Sequence, residues 1–114
     1  MTDAPFTINT RDSILEVTLS KGKANVISAE DSRQLNRMWE EFRDNPDQRF
    51  GILTGKGDKF FCAGWDLKNV AESGEASNSD YGSGGFGGLN YPRNFDKPVI
   101  CAVNGIACGG GFEI

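Results

Sequence analysis

Apolar and polar residues alternate over Phe6-Thr-Ile-Asn-Thr10 and again over Ile14-Leu-Glu-Val-Thr-Leu19, which predicts two short strands around an Arg-Asp-Ser turn. The period then changes. Leu35, Met38, Trp39 and Phe42 recur at i, i+3, i+4 and i+7, the apolar face of a helix running from an N-cap at Ser28 to about Asp44. Arg33, Arg37, Glu40 and Glu41 fall mostly on its other side, with Arg37 and Glu41 spaced to pair. That stripe reads as core. Residues 21–27 between strand and helix form a loop with glycine at 22.

Arg49-Phe-Gly-Ile-Leu-Thr54 is the next predicted strand, followed by a turn over Gly55-Lys-Gly-Asp58 and a short apolar strand, Phe60-Phe-Cys62. A helix starts near Asp66 and fades into Ala71-Glu-Ser-Gly74. Pro98-Val-Ile-Cys-Ala-Val103 is continuously apolar, which suits a strand of a parallel sheet covered on both faces. Strands alternating with helices and glycine turns make an α/β pattern. From Gly74 to Asn90 the chain turns to Gly, Ser, Asn and Asp, with Tyr81 and Phe86 embedded. This predicts a flexible loop. A passive linker would need no aromatics; the two present favour a substrate-facing lid.

At 114 residues the chain is one domain at most, and 38% hydrophobic with 25% charged residues is ordinary globular composition. The net charge of −4 argues against nucleic acid as a partner. It leaves room for a phosphorylated ligand, for which a few lysines and helix starts suffice. No apolar run approaches the ~20 residues needed to cross a membrane. Met-Thr-Asp-Ala-Pro5 has neither the positive nor the apolar region of a secretory signal, so a cytoplasmic location is expected. Cys62, Cys101 and Cys108 form an odd set without C-x-x-C spacing, expected to be reduced, small buried hydrophobes. With no histidine, Ser-His-Asp and Cys-His catalysis and the common zinc sites drop out, and no metal is called for.

Nine of the fifteen glycines lie between 82 and 111. Two glycine-bearing segments each follow an apolar stretch and open a helix: Phe61-Cys-Ala-Gly-Trp-Asp-Leu67 and Asn104-Gly-Ile-Ala-Cys-Gly-Gly-Gly-Phe-Glu-Ile114. A helix start presents unpaired N–H groups and partial positive charge. Two such starts side by side would make a socket for an oxyanion. Glu113, the acid nearest the second start, is a candidate base, although an ordinary first-turn glutamate would look the same. Neither segment matches G-x-x-x-x-G-K-[ST], and Gly82-Ser-Gly-Gly-Phe-Gly-Gly88 follows no apolar strand, so phosphate-loop readings are weak.

The pair of segments resembles the oxyanion-hole segments of the crotonase (enoyl-CoA hydratase/isomerase) superfamily, and Ala63-Gly-Trp-Asp-Leu67 with Gly109-Gly-Gly-Phe-Glu113 resembles its carnitinyl-CoA dehydratase branch. The resemblance implies the N-terminal portion of a crotonase-like (ClpP/crotonase) fold, a spiral of ββα units, as one apparently truncated domain over 1–114. It implies that the N–H groups of Trp65 and Gly110 hold a thioester oxyanion while Glu113 acts as one of two catalytic carboxylates. Lys23, Ala24, Ala63, Asp66, Leu67 and Gly109 would border a coenzyme A thioester, bound as substrate rather than as a permanent cofactor. Lys23 could equally be a solvated loop lysine, and Asp66 only a helix cap. The implied reaction is reversible addition or loss of water across the α,β bond of an acyl-CoA. An enoyl-CoA isomerase, or a non-catalytic fragment that binds acyl-CoA or associates with other subunits, are the alternatives. The second carboxylate lies further along the chain in that family, beyond Ile114. The 114 residues alone are therefore expected to be incomplete, with Pro98–Val103 facing water unless covered by self-association or by the remainder of the polypeptide. If the acyl group carries a trimethylammonium, Trp65 with Tyr81 or Phe86 could form an aromatic cage.

Overall fold

The computed structural model describes residues 4–74 and 79–114. Strands β1 (Phe6–Arg11) and β2 (Ile14–Leu19) form an antiparallel hairpin, with Asp12 at positive φ in its turn. Helix α1 (Ala29–Asp44) leads to β3 (Phe50–Gly55), which pairs parallel with β2. Next come β4 (Phe60–Cys62), helix α2 (Leu67–Ser73) and a short 3₁₀ turn at Phe86–Gly88. Strands β5 (Val99–Cys101) and β6 (Ile106–Ala107) precede α3 (Gly110–Glu113). The main sheet has the order β1-β2-β3-β5, and β4 pairs parallel with β6 in a separate two-stranded sheet.

Alternation decides which side of the sheet is dry. Leu15, Val17 and Leu19 of β2 and Leu53 of β3 face α1, whose Leu35, Met38, Trp39 and Phe42 complete the core with Ile27, Phe61 and Cys62. Ser28 and Asp31 form a reciprocal capping box at the start of α1. At its far end the Lys97 ammonium donates to the carbonyls of Phe42 and Asn45, both at 2.6 Å, where the negative end of the helix favours a cation.

The structure adds detail to three expectations. Arg37 reaches Glu30 at 4.0 Å rather than Glu41, because helical side chains lean toward the N-terminus, where Glu30 also holds Arg33 at 2.7 Å. Over Pro98–Val103 the expected exposure to water is seen: β5 is the edge of its sheet among the described residues, and Ile100 and Val103 are 56% and 60% exposed. Of the loop expected over 74–90, residues 75–78 lie outside the described residues, and backbone groups of Asp80, Tyr81, Gly84, Gly85 and Gly87 are hydrogen-bonded to α1.

Candidate active site

The small β4/β6 sheet brings the two glycine segments together. The Cys108 amide donates to the Cys62 carbonyl at 3.1 Å, and just beyond this pair each chain leaves its strand toward a helix. Contact there is backbone on backbone. A Cβ on Gly64, which has φ +94°, would lie 2.8 Å from the Cys108 carbonyl oxygen and 3.0 Å from the Gly110 nitrogen. One on Gly111 would land on the Cys62 carbonyl. Only glycine permits this approach.

Residues 24–27 hold the first segment from the other side. The Ala63 amide donates to Ala24 (3.0 Å), the Ile27 amide to Gly64 (2.9 Å) and the Asp66 amide to Ile27 (3.0 Å). Successive residues of an extended segment turn their peptide groups to opposite sides, so the Trp65 N–H faces away from this clamp. The Asn25 amide, 1% exposed, adds hydrogen bonds to the carbonyls of Lys56, Phe60 and Phe61 that brace β4. In α3 the intrahelical bonds begin with the Gly111 amide, and the Gly110 N–H has no acceptor among the described residues.

Trp65, Gly110 and Glu113, predicted from separate motifs, line one cleft of about 300 Å³. Tyr81, Phe86, Asn90 and Tyr91 complete its wall. The Trp65 and Tyr81 rings stand edge to face at 6.3 Å, the Tyr81 and Phe86 rings are tilted at 6.0 Å, and a Cβ on Gly110 would collide with the Phe86 ring. Glu113 is exposed at the rim. The cleft thus gathers residues of both glycine segments, an aromatic wall and a carboxylate.

The residues expected to border coenzyme A divide. Ala24 and Ala63 meet through their hydrogen bond, Gly109 opens α3 at φ +53°, and Leu67 is 70% exposed. Lys23 is exposed and does not line the neighbouring open groove, where Lys21, Val26, Asp66 and Lys68 are found. Asp66 is largely spent internally: its carboxylate caps α2 through the Asn69 amide at 3.1 Å and meets the Lys21 ammonium at 3.0 Å. Lys21 also reaches Asp31 at 2.7 Å. Burial alone would lower the Lys21 pKa, but its hydrogen bonds to the two carboxylates and their charge outweigh this and raise it. Burial would likewise raise Asp66, and the Asn69 amide and Lys21 reverse the sign, holding it below the ordinary carboxylate value.

The cysteines are not all buried as expected. Cys62 is, and desolvation pushes its thiol up to about 11, while Cys101 and Cys108 are exposed because β5 is an edge strand and Cys108 sits in the open turn before α3. Sequence reasoning also passed over Asn90 and Tyr91 in the cleft wall, Lys21 between two carboxylates, and Ser32 and Asn36 beneath the aromatic segment. The last pair had a signal: two polar residues at i, i+4 beside a helix's apolar stripe.

Residues 9–114 match the family described as enoyl-CoA hydratase/isomerase. The chain belongs to that family. It is 51% identical over 107 residues to a carnitinyl-CoA dehydratase of Proteus mirabilis, covering 94% of this chain and 41% of the relative. It is 57% identical over 102 residues to a carnitinyl-CoA dehydratase of Escherichia coli K12, covering 90% of this chain and 39% of that relative. The crystal structure of a carnitinyl-CoA hydratase from Mycobacterium avium superposes with a TM-score of 0.84 at 34% identity, covering 98% of this chain and 43% of the other. The fold is thus the N-terminal portion of the crotonase α/β fold, and the chain spans about two-fifths of the length of these relatives. Among the described residues no helix is long and apolar enough to cross a membrane.

Proposed function

We propose that this chain carries the oxyanion hole and one catalytic carboxylate of an acyl-CoA hydro-lyase of the enoyl-CoA hydratase or carnitinyl-CoA dehydratase type. The observation that supports it most is the approach of Gly64 to the start of α3, which sets Trp65 and Gly110 around one cleft beside Glu113. Removing the α-proton of a thioester, or adding a nucleophile at its β-carbon, drives negative charge onto the carbonyl oxygen. Backbone N–H groups of Trp65 and Gly110 stabilise that charge without titrating, at about 10²–10³ in rate per donor. Glu113 takes or returns the proton, or orients water. The wall of Trp65, Tyr81 and Phe86 suits an acyl group ending in a trimethylammonium. Coenzyme A enters as part of the substrate, against Ala24 and Ala63. The same reading places the protein in the cytoplasm and pairs it with further copies or further polypeptide, since Ile100, Val103, Ile106 and Phe112 present apolar surface.

The experiment is carbonyl polarisation. A conjugated enoyl-CoA bound in such a site absorbs further to the red than in water, because the donors draw electron density toward the thioester oxygen. Replacing the Gly110 amide by an ester through semisynthesis removes that N–H without added bulk, although it weakens the Gly109 carbonyl as an acceptor in α3; proline would instead drive its ring into Phe86. The shift is expected in the native chain and diminished in the ester form. Binding without a shift, or a shift the ester leaves intact, overturns the assignment.

A further inference from the structure

Helix α1 carries buried polar atoms that neither the apolar packing of the core nor the oxyanion hole uses. Ser32, Asn36 and Trp39 fall at i, i+4 and i+7, and their polar atoms are directed at the backbone of residues 81–87. The Ser32 hydroxyl donates to the Gly85 carbonyl at 3.2 Å and accepts from the Gly87 amide at 2.7 Å. The Asn36 side chain donates to the carbonyls of Tyr81 at 2.8 Å and Gly85 at 3.0 Å, and accepts from the Gly84 amide at 2.6 Å. The Trp39 indole donates to the Gly87 carbonyl at 3.1 Å.

The segment lies flat on the helix. A Cβ on Gly82 would meet the Asn36 side chain at 2.5 Å, and one on Gly88 would meet the Trp39 ring at 2.7 Å. The two aromatic residues of this segment, Tyr81 and Phe86, form the cleft wall beside Trp65 and over Gly110. Apolar packing alone would hold such a segment without fixing where along α1 it sits. These directional bonds, most of them buried where a broken one is costly, fix its register.

We propose that Ser32 and Asn36 are positioning residues for acyl recognition: by holding the backbone of 81–87 on α1 they set the place of Tyr81 and Phe86, and so the discrimination between acyl groups, without touching substrate themselves. This rests on the cleft being an acyl-CoA site. It extends that reading from the carbonyl, where the glycines act, to the acyl tail.

The test compares the native chain with Ser32→Ala and Asn36→Ala, reading amide hydrogen exchange and the affinities for crotonyl-CoA and for free coenzyme A. In the native chain the Gly84 and Gly87 amides are protected and crotonyl-CoA binds more tightly than coenzyme A. Ser32→Ala should expose the Gly87 amide and Asn36→Ala the Gly84 amide while those of β2 and β3 stay protected. Each variant should lower the preference for crotonyl-CoA about tenfold, the equivalent of one well-made buried hydrogen bond, with coenzyme A affinity unchanged. Should Asn36→Ala fail to fold, Ser32→Ala carries the test. A general structural role would instead weaken both ligands by the same factor, and that result overturns the proposal. So does a preference that survives in variants whose amides have opened. A native chain that binds crotonyl-CoA no better than coenzyme A overturns the acyl-CoA reading itself, and with it any discrimination for these residues to set.

Discussion

Gly64 and Gly110, forty-six positions apart in sequence, are in backbone contact: a Cβ on Gly64 would lie 3.0 Å from the Gly110 nitrogen. The contact depends on φ +94° at Gly64, which side-chain-bearing residues rarely adopt. Gly64→Ala therefore meets two penalties, a strained backbone and collisions with the Cys108 carbonyl and the Gly110 amide. It should destabilise the chain by roughly 1–3 kcal/mol, read as a lower denaturation midpoint. It should also abolish the carbonyl red shift, since the donors can no longer converge. Full stability with an unchanged shift would mean the two segments do not depend on their close approach.

Glu113 tests differently, because it is exposed and its carboxylate makes no ion pair or hydrogen bond among the described residues. Glu113→Gln keeps length and shape in the first turn of α3. Unfolding midpoint and ligand affinity should stay within about 0.5 kcal/mol of the native chain. In a catalytically complete polypeptide, water addition should fall by at least ~10²-fold, the ordinary contribution of a positioned acid or base. Equal turnover in both forms would return Glu113 to a plain first-turn residue.

The elements around the site were legible because local pattern determines them. Ser28 with a hydrophobic period behind it defines α1, and the alternation in β2 defines its dry face. The partners of polar side chains were not. Nothing local in Asn36 tells that it will face Gly84 forty-eight positions later, since that contact exists only once the fold carries the segment back over α1. Continuous apolar character over Pro98–Val103 reports what that strand can bury, whereas its exposure depends on what lies over it. The motif pair succeeded because glycine at 64 and 109–111 records a close approach directly in the residue type.

Thiol chemistry separates the three cysteines. Cys62 is fully buried with a thiol pushed up to about 11, whereas Cys101 and Cys108 are exposed. At pH 8 only about one Cys62 in a thousand would be thiolate, and that one is out of reach of reagent. A maleimide should label Cys101 and Cys108 of the folded chain promptly and Cys62 only after denaturation, as peptide mapping by mass spectrometry would read. Labelling of all three at one rate would contradict the burial of Cys62 in the core beneath α3.

Lys21 joins the beginnings of two helices, because Asp31 belongs to the capping box of α1 and Asp66 is the N-cap of α2. The pKa of Asp66 is lowered from 3.8. Its contribution to stability is therefore complete above that value and is lost as pH falls through the lower folded value. Lys21 is raised from 10.5, so its contribution is complete below that pH and is lost as pH rises through the higher folded value. Between these limits Lys21→Met leaves two part-buried carboxylates facing each other without their cation. That should cost roughly 1.5–3 kcal/mol, the scale of a charged hydrogen bond left unmade. Asp66→Asn removes one of the two carboxylates, so it should flatten the acid limb of the stability profile below about pH 4. Denaturant midpoints across pH, for the native chain and both variants, read these effects directly. An acid limb that Asp66→Asn leaves unchanged would show that the Lys21 link contributes nothing to holding α2, and with it the Trp65 end of the oxyanion segment, against α1.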